Sequence, residues 1–382
     1  MIFDLDMERV RHRPGIKWGR HGADMLAAWV ADMDVELPDI VLDAVQARIA
    51  TGGLGYDFYD EPVPVLECFV RRMRDRFDWD TDMSEVIRLQ DVIQGLQICL
   101  TQLSKPGDGV VVQTPIYPPF LSSIEGTGRR VVANPMINTD DGWELDLDHL
   151  DKVCSDSDTT LLVFCNPHNP LGRVFTVMEM EAIDAIAARH DVTVISDEIH
   201  LDLVYSPHVH VPYAKLSDEA AGRTVTLNAA TKSFNMAGLR LSFMHTHSAE
   251  LRAKLDDIPP RIIGGINILG QVATIAGWDE GQPWLDELVA GLDHNRHRLT
   301  ELLAEHLPVV KYSAPEATYL AWLDCRDLKL EVEPAEAFEA GGVVLNPGLN
   351  FGPDGQGHVR LNFATSPEML ELIVTAMGAA VR

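Results

Sequence analysis

The sequence predicts an α/β protein, with a large domain built on a mostly parallel sheet covered by helices and a smaller α+β domain beside it. From residue 85 onward, short apolar runs of strand length alternate with longer runs of helical spacing, which is typical of strands joined by helical crossovers. After about residue 275 this alternation gives way to a long helix and scattered short strands. A chain of 382 residues is also too long for one simple core. We predict a large domain at residues 46–275 and a small domain formed by residues 1–45 together with 276–382.

The elements are predicted in order along the chain. Residues 1–34 predict an irregular, extended arm, followed by a helix that opens at residues 37–39 and stops at Gly52. A second, amphipathic helix covers residues 62–77. The large domain is predicted to contain strands at 86–89, 110–113, 161–165, 193–196 and 224–227, with helices at 93–103, 119–125 and 176–189, the last capped by Thr176. The small domain is predicted to contain a helix at 284–306, strands at 309–312, 319–323 and 343–345, and a final helix from Pro367.

The composition disfavours several classes of function. Asp and Glu number 58 against 31 Lys and Arg, so the net charge is −27, which opposes binding to nucleic acid or to an anionic membrane surface. The five cysteines are scattered without a CxxC pair, which favours reduced thiols over a disulfide framework. The N-terminus lacks the basic region and apolar core of a signal peptide, and no window approaches the roughly 18 apolar residues that span a bilayer. We therefore expect a cytoplasmic protein.

Polar and aromatic side chains follow the ends of four predicted strands. They are Tyr117 after strand 110–113, Asn169 after 161–165, Asp197 after 193–196 and Lys232 after 224–227. Ligands collect at the carboxyl ends of parallel strands, so we expect these side chains to share one site. An aromatic ring, an amide, a carboxylate and a lysine are what a pyridinium aldehyde cofactor needs. The carboxylate keeps the ring nitrogen protonated, and the lysine forms an imine with the aldehyde.

The stretch TVTLNAATKSFNMAGLR, residues 224–240, carries the lysine. Lys232 comes just after an apolar strand, so its side chain can point into a cleft, where burial lowers the pKa of the amine and favours Schiff-base chemistry. Gly238 and Arg240 follow closely, and an arginine at that place could bind a phosphate through its planar fork. Taken alone, the stretch is equally compatible with a surface lysine in a loop.

Eight longer stretches carry a family resemblance, in the family's order and over nearly the whole chain. They are WVADMD (29–34), GYDFYDEP (55–62), TPIYPPF (114–120), NPHNPLGRVF (166–175), SDEIHLDLV (196–204), ATKSFNMAGLR (230–240), ATYLAWLDCR (317–326) and HVRLNFA (358–364). With them the chain resembles the fold-type I pyridoxal-phosphate enzymes of the class I/II aminotransferase superfamily, and more narrowly the MalY/PatB group of cystathionine β-lyases. The resemblance implies pyridoxal 5′-phosphate as the cofactor and the large domain as the domain that binds it.

The resemblance also implies a role for each residue of the predicted site. Lys232 is expected to form the imine and to move the α-proton of the substrate, and Asp197 is expected to pair with the pyridine nitrogen. Tyr117 is expected to stack on the ring, which completes the predicted catalytic set. Asn169 is expected to hydrogen-bond the ring hydroxyl and to lie beside the substrate, and His200 is expected beside the cofactor.

The other implied contacts involve the phosphate and the substrate carboxylate. Arg240 and the backbone near Val92 and Ile93 are expected to hold the phosphate at a helix N-terminus. Tyr56 is expected to reach the phosphate of the cofactor in a second subunit, which implies a homodimer with shared active sites. Arg360 is expected to bind the α-carboxylate of an amino-acid substrate through a bidentate pair, with a structural salt bridge as the competing interpretation.

Three positions depart from patterns that are common in the superfamily. His200 stands where aminotransferases usually carry tyrosine, and a histidine there resembles the lyase group. Ala229 stands where many aminotransferases have a serine that contacts the phosphate. Asp91 stands where the lyase group frequently has glycine, which bears on the geometry of the phosphate loop.

The resemblance implies a carbon–sulfur β-lyase that cleaves cystathionine or another S-substituted cysteine to a thiol, pyruvate and ammonia, with a place in methionine biosynthesis. The alternative is an aminotransferase, which would use the same residues, and His200 favours the lyase. A third hypothesis is a non-catalytic regulatory protein on the same fold, which the intact set of Lys232, Asp197 and Asn169 disfavours.

Two histidine pairs have spacing that is compatible with metal binding. They are His208 with His210 and His245 with His247. Neither pair has an acidic or thiolate partner in register along the sequence. We therefore expect no metal site, and we expect these histidines to lie in loops or at the surface.

Overall fold

The computed structural model describes residues 2–22, 24–56, 63–139 and 142–382 of the chain. The α-helices are α1 (Met7–Arg11), α2 (Ile16–Gly19), α3 (Asp39–Ala50), α4 (Pro64–Phe77), α5 (Val92–Leu103), α6 (Pro118–Gly126), α7 (Leu147–Cys154), α8 (Val177–Arg189), α9 (Asp218–Arg223), α10 (Ala249–Asp256), α11 (Pro260–Ile263), α12 (Ile268–Glu280), α13 (Gln282–His306), α14 (Pro334–Ala340) and α15 (Pro367–Ala380). The strands are β1 (Leu26–Ala27), β2 (Val86–Leu89), β3 (Gly109–Thr114), β4 (Arg130–Pro135), β5 (Ile137–Thr139), β6 (Gly142–Glu144), β7 (Thr159–Cys165), β8 (Thr193–Asp197), β9 (Thr224–Asn228), β10 (Ser242–His245), β11 (Lys311–Tyr312), β12 (Leu320–Asp324), β13 (Val343–Val344), β14 (Asn346–Pro347) and β15 (His358–Asn362).

The large sheet has seven strands in the order β2-β10-β9-β8-β7-β3-β4. Strands β3, β4, β7, β8 and β9 are parallel to their neighbours in this set, whereas β10 is antiparallel to both β2 and β9. The prediction of a mostly parallel sheet is therefore confirmed. Because the central strands are parallel, the chain segments that follow β3, β7, β8 and β9 all emerge at one edge of the sheet.

Helices cover both faces of this sheet, and β3 shows how the sequence divides its side chains between them. Val110 and Val112 pack in the apolar cluster that contains residues of α5 and α6, while Val111 packs in the cluster that contains residues of α7 and α8. Successive side chains of a strand point to opposite faces, so a continuous apolar run serves two layers of helices at once.

A second sheet of four antiparallel strands, in the order β11-β12-β15-β14, lies in the C-terminal part of the chain. The N-terminal arm joins this part, because Leu26 and Ala27 of β1 pair in parallel with Val343 and Val344 of β13. The predicted domain boundaries at 45/46 and 275/276 fall inside α3 and α12. The division into domains at those residues remains a prediction.

The structure differs from the sequence-based expectation in several elements. Strands β4 and β10 were not predicted, since β10 has only four residues and begins and ends with a polar side chain, and β4 is a partly exposed edge strand that opens on Arg130 and closes on Pro135. The arm was expected to be irregular, yet it contains α1, α2 and β1. Helix α4 was expected from residue 62, which lies outside the described residues, and the helix begins at Pro64 after Val63 as its extended N-cap.

Two local features fix elements next to the sheet edge. Helix α8 begins with a reciprocal cap in which the Thr176 hydroxyl accepts from the Glu179 N–H and the Glu179 carboxylate accepts from the Thr176 N–H, which confirms the predicted cap. Helix α5 lies very close to the sheet at Gly95, where a Cβ atom would meet a methyl carbon of Leu227 at 2.8 Å and one of Leu89 at 2.9 Å. A larger side chain there would force the buried Leu227 and Leu89 side chains to repack or α5 to shift.

A search of the described residues found no helix with the length and apolar character needed to cross a membrane.

Candidate active site

A cavity of about 570 Å³ lies at the carboxyl edge of the large sheet. Eight of the ten residues predicted for the site line it. They are Val92, Ile93, Tyr117, Asn169, Asp197, His200, Lys232 and Arg240. Arg360 reaches the same region through a hydrogen bond to Asn169, whereas Tyr56 lies elsewhere and is fully exposed. The structure thus brings together side chains that are far apart in the sequence.

Lys232 lies in the turn that follows β9, and its side chain enters the cavity. Its Nζ donates to the carbonyl oxygen of Ala31 at 2.9 Å. Burial, with the nearby Arg360 charge, lowers the pKa of Lys232 to about 8, while Asp32 and Asp197 act in the opposite direction. With this pKa about a tenth of the amine is neutral at pH 7, far more than for an ordinary lysine, and the neutral form is the one that a nucleophile or base requires.

Asp197 is the last residue of β8, and only 4% of its surface is exposed. Its Oδ1 accepts from the N–H of Ile199 at 3.0 Å, which fixes the carboxylate at the sheet edge. Burial raises the pKa of Asp197 to about 7, more than the Ile199 hydrogen bond and the Lys232 charge lower it. A buried carboxylate with a raised pKa is stabilised in its charged form by a cationic hydrogen-bond donor. A protonated pyridine nitrogen is such a donor.

Asn169 and Arg360 form a buried pair between the loop after β7 and strand β15. The Nη1 of Arg360 donates to Oδ1 of Asn169 at 3.0 Å, and its Nη2 donates to the Trp29 carbonyl oxygen at 3.0 Å. The Nε of Arg360 is buried and has no hydrogen-bond partner among the described residues. Burial lowers the pKa of Arg360 to about 10. An anionic ligand such as a carboxylate would satisfy this buried guanidinium.

The N-terminus of α5 forms one end of the cavity. Helix geometry leaves the N–H groups of Val92 and Ile93 without acceptors inside the helix. Asp91 caps the helix, because its Oδ1 accepts from the N–H of Gln94 at 2.7 Å. Arg240 lies opposite and forms an ion pair with Oδ2 of Asp91. Free N–H groups together with an arginine fit the phosphate of the implied cofactor.

Tyr117 and His200 supply rings to the cavity wall. Tyr117 is the residue before α6, is half-buried, and packs edge-on against Phe120 with ring centroids 5.7 Å apart. Burial raises the pKa of the Tyr117 hydroxyl. His200 is 2% exposed, and burial with the charges of Lys232 and Arg360 lowers its pKa to about 3. The His200 imidazole is therefore neutral at physiological pH.

The sequence analysis missed a strap of backbone at residues 29–33 that closes one side of the site. The Ala31 carbonyl accepts from both Lys232 and the Tyr319 hydroxyl, the latter at 3.1 Å. The Asn362 side chain donates to the carbonyl oxygens of Val30 and Asp32, both at 2.7 Å. The strap lies in the quoted motif WVADMD, and Tyr319 and Asn362 belong to the quoted motifs ATYLAWLDCR and HVRLNFA, so membership of these motifs was the available signal.

The backbone that precedes Tyr319 is strained. Thr318 is fully buried and has a φ of 70°, which a β-branched residue rarely adopts. Its N–H donates to the Leu203 carbonyl at 2.7 Å, and its carbonyl accepts from the Tyr205 hydroxyl. These contacts hold the strained residue in place, and through it they direct the Tyr319 side chain toward the strap.

His208, His210 and His247 lie in loops, as expected, whereas His245 lies in strand β10 and is buried, which the sequence did not predict. His210 is buried, and its Nε2 lies 3.1 Å from Oε2 of Glu198. His245 is also buried, and it shares the Glu85 carboxylate with the exposed His247, at 3.1 and 2.7 Å respectively. Each buried histidine therefore lies against a glutamate, 12 residues away for His210 and 160 residues away for His245. A search of the described residues found no cluster suited to a metal ion.

The contact of Tyr56 with a second subunit stays a prediction, because the structure contains a single chain. Tyr56 is the last described residue before a gap, and residues 57–62 of the motif GYDFYDEP lie outside the described residues.

Comparison with known proteins gives the family of this chain. A family model described as aminotransferase class I and II matches residues 57–377. The cystathionine beta-lyase PatB of Bacillus subtilis is 35% identical over 379 residues, which cover 97% of each chain. Protein MalY of Escherichia coli is 31% identical over 364 residues, which cover 94% of this chain and 92% of MalY.

The fold comparison agrees with the sequence comparison. The crystal structure of the PLP-bound C-S lyase from Staphylococcus hominis matches with a TM-score of 0.92 and 30% sequence identity, and the match covers 99% of this chain and 98% of that chain. With the mostly parallel sheet and the cavity at its carboxyl edge, these matches lead to one conclusion. The chain belongs to the class I and II aminotransferase family of pyridoxal-phosphate enzymes, and within it to the MalY/PatB group.

Proposed function

We propose that this protein is a pyridoxal-phosphate-dependent carbon–sulfur β-lyase that acts on cystathionine or other S-substituted cysteines. The observation that carries the proposal is the convergence of Lys232, Asp197 and Asn169 on one cavity with Arg360 bound to Asn169. The names of the relatives at 30% identity or more support the same reaction class. The overall reaction consumes water and converts the substrate to a thiol, pyruvate and ammonia.

The cofactor would be held by residues along the length of the cavity. Asp197 would accept a hydrogen bond from the protonated ring nitrogen, Asn169 would bind the ring hydroxyl, and Tyr117 would cover one ring face. Arg240 and the N–H groups at the start of α5 would bind the phosphate. When bound, pyridoxal phosphate supplies an electron sink that stabilises negative charge at the substrate α-carbon.

Lys232 would be the proton carrier of the reaction. Its Nζ is the basic atom in the middle of the cavity wall, and its pKa of about 8 leaves it able both to take a proton and to return one. The Ala31 carbonyl, 2.9 Å from Nζ, gives the free amine a fixed orientation. Lys232 would remove the α-proton, after which the Cβ–S bond breaks and sulfur leaves as a thiolate that is protonated to the thiol.

Arg360 would orient the substrate by binding its α-carboxylate. Its Nη groups already donate to Asn169 and to the Trp29 carbonyl, so the guanidinium is held in one orientation before a ligand arrives. Burial makes the pair with a carboxylate stronger than it would be in water. The neutral His200 imidazole beside it would not compete for the carboxylate as a second cation.

We also propose that the protein is a cytoplasmic homodimer in which Tyr56 reaches the cofactor phosphate of the other subunit. Exposed apolar side chains near Tyr56 in sequence support an interface there, and they are Leu42, Ile49 and Leu54. Exposed apolar side chains of this size are found at contact surfaces between proteins. Sedimentation should give twice the mass of 42.3 kDa, and Tyr56→Ala should weaken cofactor binding while the dimer stays intact.

A place in methionine biosynthesis is the further proposal that follows from cystathionine as substrate.

A test with cystathionine separates the lyase from an aminotransferase. Purified protein is incubated with cystathionine and without any keto acid, and pyruvate and free thiol are measured. We expect both products in equal amounts, and none from Lys232→Ala, with the exposed Lys254→Ala as the matched control. If neither product forms while an amino acid and a keto acid are converted, the protein is an aminotransferase and the lyase proposal is wrong.

A further inference from the structure

Asp91 holds two of the groups that the phosphate of the cofactor would use. Its Oδ1 accepts from the Gln94 N–H at 2.7 Å, so the carboxylate lies at the positive end of α5. Its Oδ2 forms an ion pair with Nη2 of Arg240. Asp91 and Arg240 both line the cavity, next to Val92. A negative charge of the protein therefore already lies where a phosphate is expected.

The two anions cannot use Arg240 independently. A phosphate that binds Arg240 must either displace the Asp91 carboxylate or share the guanidinium with it, and sharing brings two like charges close together. The side chains of Arg240 and Asp91 are 54% and 32% exposed, so the guanidinium can move between partners without leaving water. The N–H of Gln94 is similarly committed to Asp91, which leaves those of Val92 and Ile93 for a ligand.

We propose that Asp91 is an affinity-setting residue that competes with the cofactor phosphate for Arg240 and so keeps pyridoxal phosphate exchangeable. This inference rests on the phosphate site given under the proposed function. It predicts that the carboxylate opposes binding of the phosphate and leaves binding of the pyridine ring unaffected. A purely structural role for Asp91, as the cap of α5, predicts no change when the cap is kept and weaker binding when the cap is lost.

The test compares pyridoxal phosphate with pyridoxal, which lacks the phosphate. Asp91→Asn removes the charge and keeps a side chain that caps helices well. Full-length wild type and variant, freed of cofactor, are titrated with each compound, and the dissociation constant is read from the absorbance of the lysine-bound form. We expect Asp91→Asn to bind pyridoxal phosphate about two- to fivefold more tightly, the effect of a partly exposed charge pair. Its affinity for pyridoxal should match that of wild type.

Arg240 provides the control that separates this inference from the proposed site. Arg240→Ala should weaken binding of pyridoxal phosphate, and in that background Asp91→Asn should lose most of its effect, since the shared partner is gone. If Arg240→Ala weakens binding but Asp91→Asn has no effect or weakens it too, the competition is wrong and the phosphate site stands. If Arg240→Ala leaves the affinity for pyridoxal phosphate unchanged, the proposed phosphate site is wrong, and the inference about Asp91 is overturned with it.

Discussion

The Nη1 of Arg360 donates to Oδ1 of Asn169 at 3.0 Å across 191 residues of sequence. Arg360 belongs to strand β15 of the four-stranded sheet, and Asn169 belongs to the loop after β7 of the seven-stranded sheet. The contact joins the residue proposed to bind the substrate carboxylate to the residue proposed to bind the cofactor ring. The orientation of the substrate relative to the ring thus depends on a direct link between the two sheets.

Replacement of Arg360 by lysine should impair the reaction although the charge is kept. A lysine cannot donate to Asn169, to the Trp29 carbonyl and to a carboxylate in the same geometry. Loss of about 2 kcal/mol of charge-assisted hydrogen bonding would lower kcat/KM about 30-fold. Pyruvate formation over a range of cystathionine concentrations measures this change. The partly exposed Arg298 on α13 supplies the control variant Arg298→Lys. An effect of less than twofold at Arg360 would contradict the substrate role.

The pKa of Lys232 predicts how fast the cofactor-free protein reacts with pyridoxal phosphate. Only the neutral amine attacks the aldehyde, and burial lowers the pKa of Lys232 to about 8. The rate should therefore rise with pH, reach half its maximum near the pKa, and level off above it. Stopped-flow absorbance measures the rate. Arg360→Met removes a neighbouring positive charge and should move the midpoint to higher pH, and a midpoint close to that of a free lysine in both proteins would refute the assignment.

Asp197 should make the cofactor-free protein less stable as the pH rises. Burial raises the pKa of Asp197 from 3.8 to about 7, so between these values the folded state retains a proton that the unfolded state has released. The free energy of unfolding should fall by up to roughly 1.4 kcal/mol per pH unit in that window from this group. Urea unfolding at about pH 5 and pH 7 measures the fall. Asp197→Asn should lack this part of the pH dependence, and equal slopes for both proteins would disprove the prediction.

Removal of one partner of a buried ion pair next to Lys232 should strongly destabilise the protein. The Nη2 of Arg72 lies 2.5 Å from Oδ1 of Asp202, and the Ser233 hydroxyl donates to Oδ2 of Asp202 at 2.8 Å. Asp202→Ala leaves a buried guanidinium without its partner and should cost about 3–5 kcal/mol of unfolding free energy. The exposed pair of Lys254 with Glu250 offers a control, since Glu250→Ala should cost less than about 1 kcal/mol. Similar losses at both sites would be inconsistent with this account.

The sequence allowed prediction of those parts of the fold and site that have a local signature. The central strands were predicted to within one or two residues at each end because each contains a short run rich in apolar and β-branched residues. Asp197 and Lys232 were placed at one edge because each follows such a strand, and parallel strands bring their ends together. The edge strand β4 and the four-residue β10 have no comparable pattern, and pairing with neighbours stabilises them instead.

Contacts between distant segments could not be predicted in the same way. The Ala31 carbonyl accepts from Lys232 across 201 residues and from Tyr319 across 288 residues. A backbone oxygen has no residue type that would reveal its role. The contact of His210 with Glu198 spans only 12 residues, yet no local pattern of the sequence predicts it. The pair of Asp91 with Arg240 belongs to this class, since each residue was noted in the sequence but their contact was not.

The strap at residues 29–33 presents main-chain oxygens to Arg360 and Lys232. Substitution at Trp29 or Ala31 would exchange the side chain and leave those acceptors in place. Most side-chain substitutions in this segment should therefore have little effect on the chemistry of the site. A mutagenesis screen that replaces side chains one at a time would not detect the role of the strap. Deletions, insertions or proline replacements between these residues would be far more harmful, because they move the oxygens themselves. The number of residues and the backbone conformation of this segment should therefore matter more to function than the identity of its side chains.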